Sequence, residues 1–165
     1  MATVEMSFTP LPAHVRTARL VATAVARRSG VDEALLDEVR LAVGEACSRA
    51  VEAHQEFCPA EPVRVALTGA NGRFEVVVTD NVAAANGTTA GAGQRDSAAG
   101  VQARPAGGGA GEAPGPVPVG PSELGLAVIE GLADDVEIAR TKAGVIIRMS
   151  WPSAGPDLAS HGERA

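Results

Sequence analysis

The first regular feature of the chain is an alternation. In "TVEMSFTPLP", Val4, Met6 and Phe8 alternate with polar residues and then meet Pro10 and Pro12. A period of two closed by proline predicts a short strand and a turn. From about Ala13 to Ser29 the period becomes helical. Val15, Ala18, Ala22 and Val25 mark one stripe, Leu20, Val21 and Ala24 widen it, and Gly30 supplies a stop. Asp32 is placed to cap a second helix, with Glu33 and Asp37 suited to its positive end. Leu35, Val39, Ala42, Val43, Ala46 and Ala50 recur at helical spacing, which carries this helix to about His54, before Pro59 and Pro62 forbid continuation.

Two β patterns follow. "VRVALTG" and "RFEVVVTD" are joined by Ala70-Asn71-Gly72, and Asn-Gly between such runs predicts a hairpin. Val63, Val65 and Leu67 share one face, as do Phe74, Val76 and Val78. After Asp80-Asn81 the periodicity collapses. Residues 82–121 are Gly, Ala, Pro, Ser, Thr and a few charges, which predicts a flexible loop inside one domain. Pattern resumes at "SELGLAVIEGLADDVEI". Ser122 is a candidate cap for a short helix holding Leu126, Val128, Ile129 and Leu132. "DVEIAR" and "GVIIRMSW" form a second hairpin about residues 141–144, and residues 152–165 read as a disordered tail. The order β, α, α, β, β, loop, α, β, β predicts a single α+β domain over residues 1–151. It is a two-layer sandwich with a mixed, mostly antiparallel sheet and helices on one face.

Composition narrows the function classes. The 165 residues suit one domain, and with aromatics at only 2% the core must be aliphatic. A net charge of −6 argues against nucleic-acid binding and against an anionic membrane surface. No apolar run is long enough to span a bilayer, and the start of the chain lacks a basic-then-apolar leader pattern, so a cytoplasmic location is expected. Cys47 and Cys58 fit no zinc or redox spacing, and His14, His54 and His161 are scattered, so no metal site is expected.

One local pair stands out. "EACSRAVEAH" places Glu45 and Arg49 one helical turn apart on the same face, in the order that favours an i,i+4 ion pair. Its context makes the pair more than a surface detail. "DEVRLAVGEACSRAVEAH", "FEVVVTD" and "ELGLAVIEGLADDVEI", in this order, resemble three segments of the anti-sigma-factor serine kinases of bacterial general-stress and sporulation switches, within the GHKL (Bergerat-fold) ATPase superfamily. The first is similar to the helix with the Glu-x-x-x-Asn box. The second resembles the strand ending in the Asp of a D-x-G-x-G box. The third resembles the Gly-Leu helix start and the strand after it. The resemblance covers residues 4–151 except the long loop, which sits at the ATP-lid position.

The resemblance implies roles residue by residue. Glu45 matches the catalytic base, Asp80 the receptor of the adenine amino group, and Gly125 a phosphate cradle beside a helix N-terminus. Arg49 stands where the family has the Mg²⁺-holding Asn. Arginine carries donors only and cannot ligate Mg²⁺, although it can pair with Glu45 or meet a phosphate directly. Val82 and Ala84 replace the two glycines of the Asp box. These departures imply lost or weak kinase activity and no required cofactor. The implied function is an anti-sigma factor that sequesters a sigma factor and is released by a STAS-type anti-anti-sigma partner. Two alternatives stay open: an active ATP-Mg²⁺ serine kinase acting on the STAS partner, and a nucleotide-binding sensor without catalysis. Arg19 matches a family arginine associated with partner contact, and Arg16 lies three residues earlier. The resemblance also implies a homodimer formed through the N-terminal strand.

Overall fold

A computed structural model describes residues 2–82 and 121–155 of the chain. The expected loop over 82–121, apart from its two end residues, and the tail beyond residue 155 lie outside the described residues. The elements run β1 (Ala2–Phe8), α1 (Pro12–Arg28), α2 (Leu36–Phe57), β2 (Val63–Ala70), β3 (Arg73–Thr79), α3 (Pro121–Leu132), β4 (Asp135–Thr141) and β5 (Gly144–Pro152).

The five strands form one sheet in the order β1-β2-β3-β5-β4. Every neighbouring pair is antiparallel. The α+β sandwich read from the sequence therefore holds, with a sheet wholly antiparallel rather than mixed. Two of its pairings are hairpins. In the first, Asn71 (φ 53°) and Gly72 (φ 72°) both take the left-handed conformation that a two-residue turn matched to strand twist requires.

One face of the sheet carries the core. Val63, Val65 and Leu67 of β2, Phe74, Val76 and Val78 of β3, and Ile147, Met149 and Trp151 of β5 are all buried. The alternation seen in the sequence thus places these residues under the helices. Trp151 packs near Phe74, with ring centroids 6.3 Å apart, and its indole N–H donates to the Leu132 carbonyl at 3.0 Å, so its one polar atom is satisfied. The helix layer is built with small residues. Ala18, Ala22 and Ala26 of α1 and Ala42 and Ala46 of α2 are fully buried, which lets α1 and α2 approach closely. α2 lies in the middle and packs against both α1 and α3.

Four local expectations change. The buried stripe of α1 is narrower than the sequence suggests. It runs Val15, Ala18, Ala22, Ala26, while Leu20 stays 59% exposed and Ala24 is exposed, because nothing packs on that side of the helix among the described residues. Asp32 does cap, but what it caps is a single 3₁₀ turn, Glu33–Leu35, that leads into α2. Its Oδ1 accepts from the Ala34 amide at 2.8 Å. α3 starts at Pro121, so Ser122 lies inside the first turn; proline, lacking an amide hydrogen, suits the first helical position. Finally, the chain does not fray at residue 152. β5 includes Pro152, and beyond it the Ser153 and Ala154 amides donate to the carbonyls of Gly72 and Gly30, each at 2.8 Å.

Candidate nucleotide and partner sites

The candidate nucleotide residues come together where α2, α3 and the ends of β3 and β5 meet. Gly125 is buried one turn into α3, close to the helix N-terminus that the sequence suggests. A Cβ at this position would collide with Glu45 Oε1 and lie 3.3 Å from Arg49 Cδ. The missing side chain is therefore what allows α3 to rest on the Glu45–Arg49 face of α2.

Glu45 and Arg49 do not form the expected ion pair. The pairs among the described residues do not include them, and Arg49 Nε is buried without a hydrogen-bond partner there. The physical reason lies at Gly125. The Glu45 carboxylate and the aliphatic stem of Arg49 both pack into the space it leaves, so the helical spacing sets a shared face but not a contact. Burial is the main influence lowering the pKa of Arg49; the positive charge of Arg140 adds to it, and Asp80, Glu45 and Glu52 oppose it. Arg140, on β4, thus belongs to the same charged neighbourhood.

Asp80 closes β3. Its backbone amide donates to the Val145 carbonyl at 3.0 Å. Its Oδ1 accepts from the amides of Val145 at 2.9 Å and Val82 at 3.2 Å. One carboxylate oxygen therefore staples the start of β5 to the end of β3 and closes a local turn, which leaves Oδ2 for other donors. Val82, standing at a box glycine, takes part through its amide alone.

His54 is a site-supporting residue that sequence reading missed. It is fully buried at the end of α2. Nε2 accepts from the Asn81 amide at 3.0 Å, and the Nδ1–H donates to the Glu61 carbonyl at 2.8 Å. That pair of partners selects the tautomer. The imidazole ties α2 to the residue directly after Asp80. The available signal was position: the buried run Val43, Cys47, Ala50 continues to His54 at helical spacing.

The candidate partner residues lie on the other side of α2. Arg16 is exposed and Arg19 half-buried, and both line a groove of about 230 Å³ between α1 and α2 together with Ser48, Glu52 and Gln55. The Arg19 guanidinium lies on Gly44. A Cβ there would collide with Nε and sit 2.7 Å from Cζ. Arg19 Nε is buried with no hydrogen-bond partner among the described residues. Close by, burial pushes the Cys47 thiol up to about 12 despite the opposing charge of Arg19. Such a thiol is inert at neutral pH, consistent with a structural role.

Among the described residues no three His, Cys, Asp or Glu side chains cluster in a way that could hold one. At the candidate site Arg49 replaces the neutral oxygen ligand that the family resemblance calls for.

The sequence matches the family model of the histidine kinase-like ATPase domain over residues 8–151, and the chain belongs to that family. No curated protein matches it. Among solved structures it is similar to the crystal structure of the RsbU and RsbW domains of Rv1364c from Mycobacterium tuberculosis, with 15% identity and a TM-score of 0.61. The match covers 94% of this chain and 33% of that one, so this chain spans a third of its length. At that identity the likeness establishes the fold. No helix among the described residues is long and apolar enough to cross a membrane.

Proposed function

We propose that this chain is the protein-binding module of a cytoplasmic partner switch. It sequesters a sigma factor and is released by a STAS-type anti-anti-sigma protein, with serine kinase activity lost or weak. The observation that carries the reading is the α1–α2 groove. Arg16 and Arg19 line it without ion-pair partners among the described residues, with the Arg19 guanidinium resting on Gly44. Arginine in such a setting donates charge-assisted hydrogen bonds to a carboxylate or a phosphorylated side chain, and arginine is enriched at interface hot spots. The sequence resemblance supplies the partner classes. Arg49 at the metal-ligand position supports the loss of catalysis. Incubation with radiolabelled ATP and a cognate STAS protein is expected to leave the STAS serine unlabelled while the two proteins bind each other. Stoichiometric phosphoserine would establish the kinase instead.

The sheet edge supports a second part of the proposal, a homodimer. Among the described residues β1 pairs on one side only, and its helix-side residues Val4, Met6 and Phe8 are incompletely covered. Light scattering at micromolar concentration is expected to give twice the chain mass of 16.6 kDa. A strictly monomeric mass contradicts the dimer and leaves the partner proposal standing.

A further inference from the structure

We propose that His54 is an acid-sensitive latch: a proton on its imidazole releases Asn81 from α2 and loosens the junction of β3 and β5 at Asp80. The proposal depends neither on partner switching nor on a nucleotide.

The latch is built from bonds whose polarity is fixed. Asn81 meets Nε2 through a backbone N–H, which can only donate, and Glu61 meets Nδ1 through a backbone carbonyl, which can only accept. The neutral ring with its hydrogen on Nδ1 satisfies both. The imidazolium carries a hydrogen on each nitrogen, so its Nε2–H would face the Asn81 N–H at 3.0 Å with no acceptor between them. His54 is 0% exposed, so no solvent reaches the ring while it stays in place. Two buried donors facing each other are costly, and the contact opens instead.

The neighbouring bonds decide which side gives way. Glu61 is tied to α2 by a short turn: the Cys58 amide donates to the His54 carbonyl at 2.8 Å, and the Glu61 amide donates to the Cys58 carbonyl at 3.0 Å. That side moves with the helix. Asn81 is tied to the sheet through Asp80, which shares two hydrogen bonds with Val145 and accepts one from the Val82 amide. A release at Asn81 therefore loosens the end of β3 where it meets β5.

The ionisable groups around the latch come from three elements: Cys58 and Glu61 on the linker to β2, Asp80 at the end of β3, and Arg49 of α2. Burial, then the charges of Glu61 and Asp80, raise the pKa of Cys58, so this thiol stays neutral in acid. Glu61 and Asp80 supply negative charge that stabilises the imidazolium once the ring is released, and the Arg49 cation opposes it. Opening takes up one proton, so acid favours it by up to about tenfold per pH unit.

Amide hydrogen exchange of the full chain, followed by NMR and corrected for the intrinsic pH dependence of exchange, tests this alongside the ring-nitrogen shifts of His54. At neutral pH the ring is expected to be uncharged with its hydrogen on Nδ1. Between about pH 7 and pH 5, where imidazole titrates, Asn81 protection is expected to fall by about tenfold or more while Val65 and Val76 in the core strands keep theirs. His54→Gln retains a donor and an acceptor but cannot titrate, and its Asn81 protection is expected to stay flat over that range. His14→Gln is the control, since His14 bonds the Thr9 carbonyl, and it is expected to keep the native pH dependence. If His54→Gln does not fold, the native ring shifts and Asn81 protection decide alone. The proposal is overturned if the ring gains its proton while Asn81 stays protected, or if the ring is still neutral at the acid end. It is likewise overturned if Asn81 and the core strands lose protection together, or if the pH dependence persists in His54→Gln or vanishes in His14→Gln.

Discussion

Gly144→Ala is expected to destabilise the protein by about 3 kcal/mol, the upper end for backbone strain at a single site. Gly144 has φ +146°, a conformation that side chains rarely allow. A Cβ would collide with the Asp80 carbonyl oxygen and lie 2.8 Å from the Asp80 carbonyl carbon and 3.1 Å from Asn81 Cα. All three neighbours are backbone, so no rotamer change relieves the overlap. The strands must separate where Asp80 and Val145 exchange their two hydrogen bonds. For a domain of this size the midpoint of thermal unfolding should fall by roughly 6–12 °C. Gly72→Ala is the control. Gly72 also has positive φ, but its nearest prospective contact is the Ser153 carbonyl at 3.6 Å, and a loss of about 1 kcal/mol is expected. Equal losses at the two positions would show that the Asp80 contact is not the source.

Arg19→Ala is expected to weaken binding to at least one protein partner by about tenfold or more, as for loss of a charge-assisted hydrogen bond. Glu45→Ala is expected to leave partner exchange unchanged. Under the proposed function, the sigma factor and the STAS protein contend for the surface near Arg16 and Arg19 by mass action, and ATP turnover plays no part. Phosphorylation of the STAS protein by another kinase can still tune the contest by placing charge in the groove. Competition binding with both partners, with and without ATP, reads the two variants. A Glu45→Ala protein locked on one partner only when ATP is present would restore Glu45 to catalysis.

How much of this was legible in the sequence depends on whether a feature is local. The strand faces of Val63, Val65 and Leu67 and of Phe74, Val76 and Val78 follow from a period of two, and the structure buries all six. The Asn71-Gly72 turn follows from residue chemistry alone. The Glu45–Arg49 pairing was misread because spacing fixes a shared helix face, while the space that draws both side chains lies 80 residues further on, at Gly125. The extension past Pro152 was hidden for the same reason, since its hydrogen bonds reach back to Gly72 and Gly30.

Gly44 and Gly125 act as keyways. Each is a gap in the side-chain layer filled by a charged side chain from an adjacent helix: Arg19 of α1 enters at Gly44, and Glu45 of α2 enters at Gly125. The neighbouring positions 44 and 45 thus lock α2 to both outer helices at nearly the same height. Sliding either outer helix along α2 by a turn would drive a side chain into occupied space, and close-packed interiors do not deform gradually to accept that. Positions 44 and 45 therefore set the registers of α1 and α3 on α2 at a single level of the helix layer.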